Sequence, residues 1–376
     1  MGEKLLIVTG EISGDLHAAK VVKELKLLLP DIKISGIGGE KLRAEKVNLL
    51  YDIKDLAVIG FLEIIPKFFK IRNALNLIYK HLLEEKPDLC VLVDYPGFNL
   101  KVAKFAKKQG VKVVYYILPQ VWAWGKGRIK TIEKYVDKGI VILPFEQQIY
   151  KNLETKFFGH PLVDILQGYT PTNMEEVSRS QYKVALLPGS RKDEICHILP
   201  IMLNCVKLLP EYEFVLPVAS GIDKTWLQSM IKNCLPVDKQ NKITFSDNTY
   251  ETMKDVSFAL VKSGTSTLET CIMKVPMVII YKTSTFSYFI SRLIVKTKWI
   301  GLPNLIAGKQ IVPEFIQYNV NPEKIVNTMK DILKNKNELI REFEAIISLL
   351  AFPTNKQGES GVAKKVANFI AQEFKN

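Results

Sequence analysis

Two kinds of feature in this chain have the residue types and spacing to do chemistry: an acid closing one apolar run, and small-residue turns closing others. Asp94 ends the run DLCVLVDY and stands just before Pro96 and Gly97. A carboxylate held at a strand end can take a proton from a hydroxyl, a role worth roughly 10²- to 10⁴-fold in rate; the plainer alternative is an Asx residue shaping the turn. In LLPGSRKDEI, Gly189 and Ser190 lie between a strand pattern and a helix pattern, with Arg191 beside them. Backbone N–H groups at a helix start, together with one guanidinium, suit a phosphate, although a capped turn with a solvated arginine would read the same. VKSGTSTLET repeats the arrangement, with Ser263, Gly264 and Thr265 at the strand end and Glu269 one turn into the helix. A carboxylate there can accept both hydroxyls of a ribose or simply be a favourable early-helix acid.

Weaker signals accompany these. GEISGDLHAA follows the first apolar run and puts Ser13, Gly14 and Asp15 at a helix start, as caps or as a place where a ligand reaches the backbone. GIGGEKL lacks the GxGxxG spacing and follows the second run, which argues against a nicotinamide fingerprint. His160 in FFGHPLVD is open as a second base, a phosphate contact or a backbone-bonded hinge histidine. Asn304 in LPNLIAG is open as a donor contact or a turn residue, and Trp122 and Trp124 as sugar-stacking or core aromatics. The chain has no DxD motif and no His/Asp cluster, so neither a metal nor another cofactor is expected.

Elements that could position these residues alternate along the chain. KLLIVTG, IKISGIGG, DLCVLVDY and VKVVYYILP read as strands separated by helical patterns, including Asp15 to Leu29 and Leu100 to Lys108. Strand and helix in alternation predict a parallel sheet covered on both faces. The pattern restarts after the polar stretch Gln167 to Tyr182 with VALLPGSR, YEFVLPVAS, KITFSD, VSFALVKSG and VPMVIIY. The expected architecture is α/β, with two Rossmann-like domains facing across a cleft. The first covers 1–166, joined by the C-terminal segment 350–376, and the second covers 167–349. In such sheets ligands bind at the carboxyl ends of the strands, which is where the singled-out residues fall.

Composition narrows the partners. The 376 residues are 47% hydrophobic, enough for two packed cores. Five cysteines, odd in number and without a CxxC pair, argue against disulfides and zinc and for a reducing compartment, the cytoplasm. The N-terminus shows no signal-peptide pattern, and the most apolar stretches are broken by charges, so no transmembrane helix is expected. A net charge of +13 favours an anionic partner. The lysines are scattered and no nucleic-acid-binding signature is present, so nucleic acid is not expected.

Taken in order, GEISGD, GIGGEKL, VIGFLEIIPKF, VDYPGFN, LPQVWAWGKGR, LPFE, FFGHPLVD, LLPGSR, SGTSTLE and LPNLIAGK followed by VPEFIQ resemble the motifs of the lipid-A-disaccharide synthase family, from Gly10 to Gln317. The resemblance implies a GT-B fold and a glycosyltransferase that moves 2,3-diacylglucosamine from its UDP derivative to 2,3-diacylglucosamine 1-phosphate. The donor is α-linked and the product β-linked, which implies one inverting displacement with Asp94 as base. It also implies donor contacts at Gly189, Ser190, Arg191, Ser263, Gly264, Thr265, Glu269 and Asn304. Acceptor or cleft contacts are implied at Ser13, Gly14, Asp15, Trp122, Trp124, Arg128 and His160. The chain departs from the family at Gly97, where a second acid is usual, and at Gln120 and Gly125, which flank VWAW in place of the usual serine and arginine. Lys126 or Arg128 can stand in for that arginine. Related UDP-sugar enzymes, such as a peptidoglycan-precursor transferase or a 2-epimerase, and a non-catalytic nucleotide-sugar binder are the alternatives.

A substrate held in a bilayer by acyl chains calls for a membrane contact. IIPKFFKIRNALNLIYKHLL (Ile64 to Leu83) carries one apolar stripe, Ile64, Phe68, Ile71, Leu75, Ile78 and Leu82. Beyond it lie Ile65, Phe69 and Leu77, interleaved with Lys67, Lys70, Arg72 and Lys80, as expected of a helix lying on anionic lipid. Two-sided burial is the alternative. For FSYFISRLIVKTKW, core, homodimer contact and membrane surface all stay open. The expected location is the cytoplasm, peripherally bound to the inner membrane.

Overall fold

The computed structural model describes residues 2–55, 64–122, 125–169, 183–294, 297–351 and 361–375, with the backbone alone for 64–68, 126 and 290–294. It divides into two compact units, one of Met1–Pro161 with Leu350–Asn376 and one of Leu162–Leu349.

In the first unit, β1 (Lys4–Thr9), β2 (Lys33–Gly38), β3 (Asn48–Asp52), β4 (Leu89–Val93), β5 (Lys112–Tyr116), β6 (Lys138–Val141) and β7 (Glu154–Phe157) form one sheet in the order β3-β2-β1-β4-β5-β6-β7. Every described pairing is parallel. The two central strands carry the longest apolar runs because helices cover both of their faces; Leu6, Val8, Leu89, Cys90 and Leu92 have no exposed surface. Truncating such a residue to alanine costs about 2–5 kcal/mol.

The connecting helices are α1 (Ile12–Leu28), the short α2 (Glu40–Ala44), α3 (Ile64–Glu84), α4 (Pro96–Lys108) and α5 (Ile129–Tyr135). Helix α4 starts at Pro96, four residues before the start expected from periodicity. Pro96 occupies the first helical turn, where its missing N–H costs nothing, and Tyr95 before it is left-handed. Helix α3 buries Ala74, Leu75, Ile78 and Leu82 against the same core as Phe98, Val102 and Ala106 of α4. The final helix, Val362–Glu373, packs on α1, and Lys112 on β5 pairs with Glu373 at 2.7 Å.

In the second unit, β8 (Lys183–Leu187), β9 (Glu213–Pro217), β10 (Ile243–Ser246), β11 (Phe258–Lys262), β12 (Met277–Tyr281) and β13 (Glu314–Ile316) form a parallel sheet in the order β10-β9-β8-β11-β12-β13. Its larger helices are α6 (Lys192–Lys207), α7 (Thr265–Ile272), α8 (Thr285–Ile294) and α9 (Pro322–Lys334). The short helix 249–254 carries Tyr250, and another, 302–307, carries Asn304. No helix among the described residues is long and apolar enough to cross a membrane.

Each sheet reverses its strand order once, between β1 and β4 in the first unit and between β8 and β11 in the second. Loops leaving the carboxyl ends of two such strands diverge to opposite faces, which opens a crevice for a ligand.

Candidate active site

Asp94 leaves the end of β4 at the first of these reversals, and Gly10 and Glu11 leave β1 beside it. A side chain at Gly10 would run into the Tyr95 ring, and one at Gly14 would meet Thr9 Oγ1 at 2.2 Å; both glycines are there for close packing. Asp94 and Tyr95 are both left-handed, with φ of 50° and 49°, a conformation that costs an L-residue about 1–2 kcal/mol. The Asp94 carboxyl is largely buried. Burial, then the nearby Glu11 carboxylate, raises its pKa to about 6, and a hydrogen bond from the Tyr95 N–H only partly opposes them. Glu11 was not among the residues the sequence singled out. It becomes a neighbour of Asp94 only because β1 and β4 pair across a long sequence separation.

The other expected residues of the first unit divide between the crevice and the framework. Asp15 is buried, and its carboxylate accepts from the backbone N–H of Gly39 (2.7 Å), Lys41 (2.9 Å) and Leu42 (3.3 Å). It therefore anchors the GIGGEKL turn, and its oxygens are taken up by backbone. Ser13 is exposed at the start of α1. The Trp122 indole N–H donates to Glu146 at 2.9 Å, and Glu146 also accepts from the N–H groups of Ile142 and Leu143. Burial pushes the Glu146 carboxyl up to about 7. Tyr150 donates to the Pro119 carbonyl at 2.8 Å, so the LPQVW loop is held from two sides. Trp124 lies outside the described residues. The positive charge of Arg128 reaches the Tyr115 hydroxyl, behind the Asp94 peptide. His160 is buried and held to about 3 by burial and by His17. It is neutral at neutral pH, a weaker base than Asp94 and no cation for a phosphate. A side chain at Gly97 would meet nothing within 4 Å, so an acid there would be sterically free.

At the second reversal the loops after β8 and β11 enclose a cavity of about 480 Å³ lined by Gly189, Ser190, Arg191, Glu194, Asn248, Tyr250, Lys262, Gly264, Thr265 and Glu269, among others. Gly189 has φ 112°, open to glycine at little cost, and a side chain there would meet Glu194 at 2.6 Å. Arg191 is largely exposed, 3.4 Å from Glu194. Lys262 is half-buried and bonds the same carboxylate at 2.8 Å. Glu269 accepts from the Tyr250 hydroxyl at 3.0 Å, and burial raises its pKa.

Lys262 and Tyr250 were not singled out from the sequence. Lys262 carries the weak signal of a cation closing a strand before Ser-Gly-Thr, whereas Tyr250 carries none. Two expected donor residues prove to be framework. The Ser263 hydroxyl donates to the Ile300 carbonyl at 2.9 Å. Asn304 has no exposed surface; its amide donates to Val312 O and Glu314 and accepts from the N–H groups of Ile311 and Val312. With both ends of its amide engaged, Asn304 pins the loop after its helix and has no group left for a ligand.

On α3, Phe69 (56% exposed) and Leu77 (43%) face solvent, with Arg72 exposed and Lys70 partly so. The Lys67 side chain lies outside the described residues. Among the described residues no group of three or more His, Cys, Asp or Glu is placed to hold a metal ion.

Residues 5–365 match the family model for lipid-A-disaccharide synthetase. The chain is 40% identical over 378 residues to the lipid-A-disaccharide synthase of Syntrophus aciditrophicus, covering 98% of this chain and 97% of that one. Among solved structures it is similar to MurG of Acinetobacter baumannii (TM-score 0.59, 12% identity, 99% of this chain and 100% of that one). It is likewise similar to the UDP-GlcNAc 2-epimerase of Neisseria meningitidis bound to UDP-GlcNAc (TM-score 0.58, 12% identity, 99% and 100%). At these identities the structural likeness bears on the fold alone, two Rossmann-like domains of the GT-B type.

Proposed function

The chain belongs to the lipid-A-disaccharide synthase family, and we propose that it makes its β(1→6) disaccharide 1-phosphate by a single inverting displacement with Asp94 as the base. The donor is UDP-2,3-diacylglucosamine and the acceptor 2,3-diacylglucosamine 1-phosphate. The acceptor 6-hydroxyl oxygen bonds to C1 of the donor as the bond from C1 to the diphosphate breaks. The hydroxyl proton passes to Asp94, and the electron pair leaves with UDP. An alcohol is far too weak an acid to ionise at neutral pH, so a carboxylate positioned to accept its proton lowers the barrier.

The observation that carries this reading is Asp94 itself. It sits at the β1/β4 reversal with its pKa raised to about 6. A carboxyl so placed is ionised at neutral pH yet more basic than a solvated aspartate. In the second unit, Arg191, Lys262 and the N–H groups around Gly189 and Gly264 receive the diphosphate and stabilise the charge that builds on it, while Glu269 takes the ribose. The neighbour bound to UDP-GlcNAc shares this fold, which agrees with a nucleotide-sugar donor. Phe69, Lys67, Lys70 and Arg72 on α3 bring the protein to the anionic bilayer that holds its acylated substrates.

The test is incubation with the two acylated glucosamines, following UDP release and the disaccharide phosphate, with the anomeric configuration of the new linkage read by NMR. A β linkage formed by wild type and lost in Asp94→Asn supports the reading. An α product, or wild-type turnover in that variant, overturns it.

A further inference from the structure

At Asp94 the chain does something an L-residue resists. It leaves β4 and places two successive non-glycine residues, Asp94 and Tyr95, in the left-handed region. Left to itself such a segment relaxes toward extended backbone, so something must hold it. Two fully buried side chains from different elements converge on the peptide oxygen of Asp94. The Tyr115 hydroxyl on β5 donates to it at 2.6 Å, and the Asn99 amide on α4 donates at 2.7 Å. The same amide nitrogen lies 3.2 Å from the Val93 carbonyl and 3.3 Å from that of Val8, so one side chain ties together the ends of β4, β1 and α4.

The other end of Asn99 argues in the same direction. Among the described residues its Oδ1 is buried without a hydrogen-bond partner, and a buried acceptor left unpaired is destabilising. Flipping the amide would aim that oxygen at three carbonyl oxygens, so the observed orientation is the favourable one. A leucine of similar shape would avoid the cost altogether. What offsets it is the amide nitrogen's hold on the Asp94 carbonyl.

We propose that Asn99 and Tyr115 are positioning residues which clamp the Asp94 peptide oxygen and so fix the direction in which its carboxylate meets the acceptor hydroxyl. The inference rests on Asp94 being the base. With the carbonyl pinned inward, the Asp94 backbone cannot rotate out of its left-handed conformation without breaking both bonds. Strain of this kind persists at functional sites where the surroundings over-determine it.

The test uses the full chain with Tyr115→Phe, Asn99→Leu, Asp94→Asn and the double variant Tyr115→Phe/Asp94→Asn, with melting temperature measured for each. Tyr115→Phe removes one hydroxyl and keeps the packing, so it serves even if Asn99→Leu fails to fold. A base displaced by about 1 Å loses on the order of 10²-fold in rate. Tyr115→Phe is therefore expected to lower kcat by about 10- to 100-fold with KM for both substrates within about threefold.

In the Asp94→Asn background the same substitution is expected to cost less than about twofold, because two changes acting through one group are not additive. A merely structural tyrosine would cost the same factor in both backgrounds, and that result overturns the clamp, as does unchanged kcat in the folded Tyr115→Phe protein. The base reading fails by a separate sign, wild-type turnover in Asp94→Asn alone.

Discussion

The two strand-order reversals of this molecule are alike in topology and opposite in chemistry. At β1/β4 the acid is largely buried, its backbone is left-handed, and its pKa is raised by burial and by Glu11. At β8/β11 the turn is relaxed by a glycine, Arg191 is mostly exposed, and a cavity of about 480 Å³ is lined by helix-start amides and by Arg191 and Lys262, which share the Glu194 carboxylate. The first arrangement destabilises a charge so that a proton can be taken up there. The second offers ready-made positive charge to an anion. Under the proposed function one fold supplies a proton-transfer site and an anion site, and the difference lies in what stands in the first few residues after each strand.

The sharpest break in this comparison is Asp94→Asn. It is expected to lower kcat by about 10²- to 10⁴-fold while UDP affinity, measured by calorimetry, stays within about twofold of wild type. Parallel loss of both would show that the two reversals do not divide the work. The same variant has a second signature. The folded pKa of Asp94, about 6, lies above its ordinary 3.8. Between those values the folded state binds a proton that the unfolded state has lost, so stability falls as pH rises through the window, and the cost is complete above it. Asp94→Asn is therefore expected to raise stability at pH 7 by about 1–3 kcal/mol, allowing for partial screening, and to change it little at pH 4. Thermal melts at the two pH values check this. In wild type, kcat is expected to fall as pH drops below about 6, as the base takes up its proton.

The complementary changes are Arg191→Ala, Lys262→Met and Glu269→Gln. Each loses a charge-assisted contact worth about 1.5–3 kcal/mol when well placed, so UDP binding is expected to weaken about 10- to 100-fold with acceptor affinity unchanged. Equal weakening for both ligands would indicate damage to the fold. Because these cations and the loop amides supply the positive charge, activity is expected to persist in excess EDTA. Inactivation reversed by added Mg²⁺ would overturn that.

How much of this was legible in sequence depended on how local its cause is. The central strands are read directly because burial on both faces demands continuous apolar runs such as KLLIVTG and DLCVLVDY. Asp94 is read as a strand end for the same reason. Glu11 is invisible as its neighbour because strand order is a tertiary fact, settled by which helices cross over which face. Periodicity puts the start of α4 too late because Pro-Gly reads as a turn, whereas left-handed Tyr95 makes Pro96 a helix start. Asp15, Ser263 and Asn304 have the residue types of ligand contacts yet bond to backbone. Which backbone groups lack partners appears only once the loops are folded.

The smallest expected effect tests whether the proposed bilayer contact lies on the first unit or the second. The first unit presents Phe69 and Leu77 on α3 with Arg72 beside them; the second presents Phe286 (76% exposed) and Phe289 (59%) on α8. The α3 surface is favoured because its apolar excess is interleaved with Lys67, Lys70, Arg72 and Lys80 over a single helix. Each basic group near an anionic surface contributes about 1 kcal/mol, screened over roughly 8 Å at physiological salt. Lys67→Glu with Lys70→Glu, and separately Phe69→Ser, are expected to reduce co-sedimentation with anionic vesicles several-fold. Activity on long-chain substrates should fall with it, while UDP affinity and circular dichroism stay those of wild type. The charge variant's deficit should shrink as salt rises and that of Phe69→Ser should not, because screening acts on charge and leaves apolar burial untouched. If the α3 variants sediment like wild type and Phe286→Ser with Phe289→Ser does not, the membrane contact belongs to the donor unit, and α3 is only a core helix with an exposed edge.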